Sequence, residues 1–262
     1  MTKDSRYGPD RGRIEQREIS LRIPRVHVDC GIEPGHTLAL PRAQAHYVGR
    51  VLRLGTGSPL VLFNGDGCDY AAELVHVSKS GAEARIEARL PGIPPSPLSI
   101  TLVQALSRGE RMDQALQKAT ELGAAAFQPV ITARCGVRLD DRRLDKRMAH
   151  WRGVIISACE QCGRSELPEL RAPMSLVDWA ASSCQGSPIA LDPASRHSFR
   201  NLEASGSMQV LIGPEGGFDD RERSVLEGAG VESVRFGTRI LRTETAGPAV
   251  IAALQAAAGD LN

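Results

Sequence analysis

The chain has 262 residues, of which 42% are hydrophobic, and a formal net charge of +1 at pH 7. This length suffices for one large domain or two modest ones with a proper core. No apolar stretch approaches the roughly 20 residues that a membrane-spanning helix needs, so membrane partners are not expected. Residues 1–18 are polar and lack the apolar core of a secretory signal. We expect a disordered extension there and a cytoplasmic protein.

Residues 19–90 carry short patterns typical of strands. "EISLRIPRV" alternates, "LVLFNGDGCDYAAELVHV" reads as strand, Gly/Asp turn and strand, and "AEARIEARL" alternates again. One amphipathic turn, "AQAHYVGRVLRL", interrupts them, with Ala45, Val48, Val51 and Leu52 on one face. The patterns predict a small β-rich domain, a barrel, followed by the stiff proline-rich linker "PGIPPSP" at 91–97.

Residues 98–262 alternate between strands and helices. "LSITLVQAL" and "AAFQPVIT" are predicted strands on either side of a helix that ends at Gly123. A second helix fits Asp141–Ser157, and short strands fit 188–192, 208–212 and 233–237. Asp219 and Glu222 have the spacing of a helix N-terminal capping box. This alternation predicts an α/β domain with a parallel sheet covered by helices.

The charge of this second region is unevenly distributed. Between Arg134 and Arg152 there are seven Lys or Arg residues against three Asp. Such a segment allows a contact with nucleic acid, and a solvated helix face explains it equally well. Cys159 and Cys162 have the spacing of a redox or metal pair, but no second pair completes a metal site. We therefore expect reduced thiols and no metal.

The loop "LIGPEGGF" begins after an apolar strand. Its spacing is neither that of a phosphate-binding P-loop nor that of a dinucleotide fingerprint. Gly213, Gly216 and Gly217 permit close backbone approach to a flat ligand, and Glu215 suits a ribose hydroxyl or a cation better than a phosphate. In open α/β sheets, ligands bind beyond the carboxyl ends of the strands. The loop therefore favours a nucleoside-like ligand that carries positive charge, with a plain turn as the alternative.

A second polar loop lies in "FGTRILRTETAGPAVIAALQAAAG". We expect a strand to end at Gly237, a loop to follow, and a helix to begin near Pro248. The helix has no polar face, so it must be buried. A surface turn held by ion pairs is the alternative interpretation of the loop.

These motifs together resemble the RsmE family of 16S ribosomal RNA uridine-N3 methyltransferases, which belongs to the SPOUT class. "LIGPEGGF" and "ILRTETA" resemble its second and third cofactor motifs, and "SRGERMDQALQKATELG", "ARCGVR" and "ACEQCGR" also match. The resemblance runs from about Leu21 to the C-terminus. It implies a PUA-like barrel, a C-terminal α/β domain with a trefoil knot, a homodimer, and the 16S ribosomal RNA of the small subunit as partner.

The resemblance also implies S-adenosylmethionine as cofactor and assigns its pocket by motif. The expected cofactor-binding residues are Leu191, Leu211, Ile212, Gly213, Pro214, Glu215, Gly216, Gly217, Gly237, Ile240, Leu241, Arg242, Thr245 and Ala246. Gly247 and Pro248 depart from the small-residue run that the family has at the helix start.

Contacts with RNA are expected from arginines and from the "CEQCGR" motif. The expected RNA-binding residues are Arg22, Arg25, Arg50, Arg53, Arg108, Arg134, Glu160, Gln161 and Arg164. For each single arginine a solvated surface role is the alternative.

Arg242 and Glu244 are the expected catalytic residues. Uridine N3 is protonated at neutral pH, so its methylation needs a proton acceptor and a cation near the oxygens O2 and O4. If the segment were extended, side chains two residues apart would point the same way. Two other functions stay open: methylation of another RNA such as transfer RNA, and RNA binding without catalysis.

Overall fold

A computed structural model of the chain describes residues 23–135, 141–182 and 186–261, except for the side chains of 141–143. Arg22, Cys184 and the predicted extension 1–18 lie outside these residues. The chain divides into two compact units, Met1–Pro94 with Glu160–Glu166, and Pro95–Cys159 with Leu167–Asn262. The sequence patterns gave no indication that 160–166 groups with the N-terminal unit.

The first unit is built on one mixed sheet. Its strands are β1 (Arg25–His27), β2 (Thr37–Ala39), β3 (Pro59–Phe63), β4 (Cys68–Val77) and β5 (Ala82–Pro91). They are ordered β1-β3-β4-β5-β2, with β1 parallel to β3 and the other pairs antiparallel. Among the described residues β1 and β2 are edge strands, so this pairing does not close the sheet into the predicted barrel.

The amphipathic turn forms α1 (Arg42–His46) and a π-helical turn, Tyr47–Val51. Ala45 and Val48 are buried in the core as predicted. The expectation for Val51 was wrong, because the wider π-helical turn leaves its side chain 59% exposed. Arg53 follows with a left-handed backbone, φ 56°.

The second unit contains a parallel sheet of buried strands, which confirms the predicted fold class. The strands are β6 (Ser99–Ala105), β7 (Ala126–Ile131), β8 (Glu169–Leu170), β9 (Met174–Ser175), β10 (Ser187–Leu191), β11 (Ser207–Ile212) and β12 (Glu232–Val234). The order is β12-β10-β11-β6-β7-β8, and β9 pairs with β7. The strand pairs of this sheet among the described residues are all parallel. The trefoil knot implied by the resemblance stays a prediction.

The helices of this unit are α2 (Glu110–Glu121), α3 (Asp141–Cys162), α4 (Leu176–Ala181), α5 (Asp220–Gly228) and α6 (Thr243–Ala258), with a 3₁₀ turn at Phe199–Asn201. The last residues of α3 belong to the first unit, so this helix continues beyond its predicted end. The capping box at α5 is confirmed, since Asp219 and Glu222 bond each other's backbone N–H. No helix in the described ranges combines the length and apolarity needed to cross a bilayer.

Two expected boundaries near the C-terminus were wrong. β12 ends at Val234, so Gly237 lies in the following loop with φ 74°. Helix α6 begins at Thr243 and contains Pro248 in its interior. The Thr243 hydroxyl is hydrogen-bonded to Gln104 on β6 and to Gly213 after β11. These contacts hold Thr243 in place, which allows the helix to begin before the proline. Gly247 permits close packing against β6, since a Cβ there would lie 3.0 Å from Leu102 Cδ1.

Candidate functional site

A pocket of about 680 Å³ lies beside the loops that follow β10, β11 and β12. These adjacent strands are parallel, so their carboxyl ends meet at one edge of the sheet. This is the edge where open α/β sheets bind ligands, and the volume is in the range of small-molecule sites.

Most of the expected cofactor-binding residues line this pocket. They are Leu191, Ile212, Gly213, Pro214, Glu215, Gly217, Gly237, Ile240, Leu241, Arg242 and Ala246, and Glu244 lines it as well. The residues outside the lining are Leu211, Gly216 and Thr245. Leu211 is fully buried in the core, and Gly216 lies against Arg134.

Thr243, which lies within the motif "ILRTETA", lines the pocket too. Sequence reasoning missed nine lining residues: Arg111, Asp192, Pro193, Phe218, Arg223, Arg235, Phe236, Thr238 and Arg239. Asp192 and Pro193 could have been predicted, because they follow β10 just as Gly213 follows β11. Arg111 and Arg223 belong to helices, and no local pattern indicates that they approach the pocket.

The glycine loop is a tight turn. Gly217 donates its N–H to the carbonyl of Pro214 at 2.9 Å and has φ 65°, a conformation that favours glycine. A Cβ on Gly213 would lie 3.0 Å from the buried ring of Phe218. Glycine therefore permits the close approach of the Phe218 ring at Gly213, and it suits the backbone conformation at Gly217.

The loop is also held from outside the pocket. Arg134 donates to the carbonyl oxygen of Gly216 at 2.6 Å, and Glu222 accepts the N–H of Ala133 at 2.7 Å. A Cβ on Gly216 would lie 3.2 Å from Arg134 Cδ. These contacts favour a role for Arg134 in supporting the loop, where the sequence suggested an RNA contact.

Two ion pairs lie at the rim of the pocket. Arg111 pairs with Glu215, and Arg223 pairs with Asp192. Glu215, expected to meet a ribose hydroxyl or a cation, is therefore already paired. The exposed arginines 235, 239 and 242 have no ion-pair partner within the described part of the chain.

The expected catalytic residues lie at the start of α6. Arg242 is the residue before the helix, with extended φ and ψ of −66° and 153°, and Glu244 lies in the first turn. The premise of a fully extended segment was therefore wrong, yet both residues line the pocket. Glu244 Oε2 is buried and has no hydrogen-bond partner among the described residues. A buried unpaired carboxylate oxygen is costly, so it marks a place for a ligand group.

Thr243 lies between these two residues and is turned into the protein. Gln104 Nε2, at the end of β6, donates to Thr243 Oγ1 at 2.9 Å. Thr243 Oγ1 donates in turn to the carbonyl oxygen of Gly213 at 3.1 Å. One hydroxyl thus joins β6, the start of α6 and the first residue of the glycine loop.

Of the residues expected to bind RNA, Arg25 is already engaged inside the first unit. Its guanidinium makes two bonds to Asp69, at 2.6 and 2.9 Å, and lies over the ring of Phe63. It also donates to the carbonyl of Arg164 and to Ser165 Oγ. Only 8% of Arg25 is exposed, so burial favours a structural role over the expected phosphate contact.

Glu160 has a similar internal role, since its Oε1 accepts the backbone N–H of His27 at 3.1 Å. Burial raises the pKa of Glu160 above its ordinary value of 4.5, while the His27 N–H and the charge of Arg25 act in the opposite direction. Together Arg25 and Glu160 hold segment 160–166 against β1. Arg50, Arg53, Arg108 and Gln161 are exposed, and Arg164 is half-buried.

The cysteine pair lies at the end of α3. Cys159 is buried, Cys162 is half-buried, and neither forms a disulfide bond with another described cysteine. Within the described ranges, no group of three or more His, Cys, Asp or Glu side chains is arranged to hold a metal ion.

Comparisons with known proteins identify both regions of the chain. The family described as RNA methyltransferase domain matches residues 94–255, and the RNA methyltransferase PUA domain matches 40–87. The ribosomal RNA small subunit methyltransferase E of Buchnera aphidicola is 31% identical over 93% of this chain and 100% of its own length. The Mycobacterium bovis protein of the same name is 32% identical over 87% of this chain and 89% of its own.

Solved structures agree with this result. The ribosomal RNA small subunit methyltransferase E of Neisseria gonorrhoeae, bound to S-adenosyl methionine, is 36% identical and superposes with a TM-score of 0.86, covering 92% of this chain and 100% of the other. A Legionella pneumophila protein with bound SAM is 40% identical, with a TM-score of 0.89 and the same coverage. The chain therefore belongs to the RsmE family of small-subunit ribosomal RNA methyltransferases.

Proposed function

We propose that this protein transfers a methyl group from S-adenosylmethionine to N3 of a uridine in the 16S ribosomal RNA of the small subunit. The observation that carries the proposal is the pocket formed by "GPEGG" and "RTET" at the carboxyl edge of the sheet. Family members with 36% and 40% identity bind the same cofactor. A substrate in ribosomal RNA also favours a cytoplasmic location.

The pocket suits a cationic nucleoside. Gly213, Gly217 and Gly237 leave backbone uncovered along its wall, where a flat adenosine would pack. Glu244 Oε2, buried and unpaired within the described residues, would face the positive charge of the donor. Once bound, S-adenosylmethionine supplies an electrophilic methyl group on its sulfonium.

Residues of this protein would then accept the proton of uridine N3 and stabilise the negative charge that develops on the uridine. Glu244 would accept the proton that uridine N3 loses, which would leave N3 able to take the methyl group that the bound donor would release from its sulfur. Arg242, exposed at the mouth of the pocket, stabilises the negative charge that develops on O2 and O4. The loops hold the reacting atoms in line, and such positioning supplies much of the rate.

We propose separate roles for the two predicted domains, with 19–90 binding RNA, 91–97 as a linker and 98–262 as the methyltransferase domain. In the first, Arg50 and Arg53 are exposed cations suited to phosphate. Arg108, Gln161 and Arg164 complete the proposed RNA contacts. Arg25, Glu160 and Arg134 act as supports for the segments that carry such contacts.

We further propose a homodimer formed through α6. One face of this helix is exposed or half-buried and carries small side chains, namely Thr245, Ala249, Ala252, Ala253, Ala256 and Ala257. An apolar face of small residues permits close packing against a second copy. Light scattering at low micromolar concentration should give twice the 28.1 kDa chain mass. A monomer that methylates RNA at the full rate would contradict the dimer.

The function is tested by mapping methylated uridines in 16S ribosomal RNA from a strain that lacks this protein. The expected result is the loss of one N3-methyluridine, which the purified protein restores with S-adenosylmethionine. Loss of a methyl group from transfer RNA instead would favour the alternative substrate. Tight RNA binding without donor binding in calorimetry would favour a protein that has lost catalysis.

A further inference from the structure

The buried amide of Gln104 is an unusual choice for the core. Gln104 is 1% exposed, and its Oε1 has no hydrogen-bond partner among the described residues. Leaving a buried acceptor unpaired costs about 1–3 kcal/mol, and an apolar side chain of similar size would avoid that cost. Stability alone therefore does not explain a glutamine at this position.

The orientation of the amide is determined by its surroundings. Nε2 donates to the carbonyl of the next residue, Ala105, at 3.2 Å, and a flipped amide would bring two acceptors together there. With Nε2 fixed as the donor to Thr243 Oγ1, the threonine hydroxyl must donate its own proton to Gly213. The donor and the acceptor of each of these three hydrogen bonds are thus determined.

We propose that Gln104 is a positioning residue that sets the separation of the two walls of the cofactor pocket through Thr243. One wall begins at Gly213, and the other carries Arg242 and Glu244, which flank Thr243 in sequence. Because the Thr243 side chain is held by Gln104 and Gly213, the position of the helix start that carries Arg242 and Glu244 is held with it. This inference rests on the proposed function, since it assigns Gln104 a role in a pocket that binds the methyl donor.

The test replaces the polar groups while keeping their shape. Gln104→Met removes the link to Thr243 Oγ1, and Thr243→Val removes the bonds of that hydroxyl to Gln104 and Gly213. Each should weaken S-adenosylmethionine binding in calorimetry by at least about 3- to 10-fold, the effect of losing the hydrogen-bonded link between the two walls. Thr243→Ser, which keeps the hydroxyl, should restore the affinity. The melting temperature of Gln104→Met should change little, because removing an unpaired buried acceptor offsets the loss of the two hydrogen bonds that Nε2 donates.

Gln128 provides a matched control. It is 2% exposed on the neighbouring strand β7, and its Nε2 also donates to the carbonyl of the next residue, at 3.0 Å, but it does not line the pocket. Gln128→Met should therefore keep the wild-type donor affinity.

The outcomes distinguish this inference from the function on which it rests. If the wild type binds the donor and Gln104→Met binds it equally well, the positioning role is overturned and the proposed function stands. A fall in affinity that Gln128→Met shares would also overturn the role, because it would report general core damage. A wild-type chain that fails to bind the donor would overturn both.

Discussion

Gly217 offers the sharpest test of the glycine loop. It lines the pocket with φ 65°, and a Cβ built there meets no atom within 4 Å. Gly217→Ala therefore introduces backbone strain without a steric collision. A non-glycine residue in this conformation costs roughly 1–2 kcal/mol.

This strain must appear in one of two measurements. If the loop keeps its conformation, the free energy of unfolding falls by the full amount. If the loop relaxes, the donor must restore the turn on binding, and the affinity falls about 5- to 30-fold, since each 1.4 kcal/mol is a factor of ten. Because the loop lies at the rim and is held mainly by Arg134 and the Arg111–Glu215 pair, we expect it to relax. The assay is calorimetric titration with S-adenosylmethionine beside a thermal melt.

Gly206 is the matched control for strain. Its φ is 61°, its built Cβ also meets no atom within 4 Å, and it does not line the pocket. Gly206→Ala should lose stability while its donor affinity stays at the wild-type value. Wild-type affinity in Gly217→Ala together with an unchanged free energy of unfolding would refute the reasoning, because the strain would then appear in neither measurement.

Three further predictions concern single side chains. Arg242→Ala should still bind the donor but methylate RNA about 100-fold more slowly in single turnover at saturating donor, and near-normal turnover would exclude a catalytic role. Arg25→Met, which leaves Asp69 unpaired, should lower the free energy of unfolding by about 3 kcal/mol, whereas Arg50→Ala should leave it unchanged in the same denaturant titration. Because burial raises the folded-state pKa of Glu160, its stabilising contribution is present at low pH and is lost as the pH rises from 4.5 through that pKa. The melting temperature of Glu160→Gln should therefore rise relative to that of the wild type as the pH increases. Melting temperatures that differ by the same amount at every pH would contradict this.

The parallel sheet and the loops around the pocket could be predicted because both depend on local pattern. Buried strands of β-branched and Leu-rich sequence imply parallel pairing, and parallel strands bring their carboxyl ends to one edge. Gly213 and the residues after β11 follow from that rule. The same rule should have included Asp192, which follows β10 in the same way.

The errors came from contacts between residues distant in sequence. Arg25 is a residue type that often contacts phosphate, but its guanidinium is paired with Asp69, 44 positions later in the sequence. The start of α6 was predicted too late because Pro248 is a strong local signal for the first turn of a helix. The actual start is held by a hydrogen bond between the Thr243 hydroxyl and Gln104 on β6, which is distant in sequence. Local propensity cannot anticipate either contact, since each depends on the completed fold.

The distribution of charge explains how one pocket can serve two ligands of opposite sign. Asp192 and Glu215 are neutralised by Arg223 and Arg111, so neither repels a polyanion at the rim. The remaining carboxylate, Glu244, has its free oxygen buried, while the arginines at 235, 239 and 242 are exposed. On the proposed function, the cationic donor would meet the buried negative charge, and the RNA would meet the exposed positive charges. If the carboxylate were exposed and an arginine were buried, an unpaired acid would lie beside the RNA and a cation would lie beside the sulfonium. The depth of each charge in the pocket therefore matters as much as its sign.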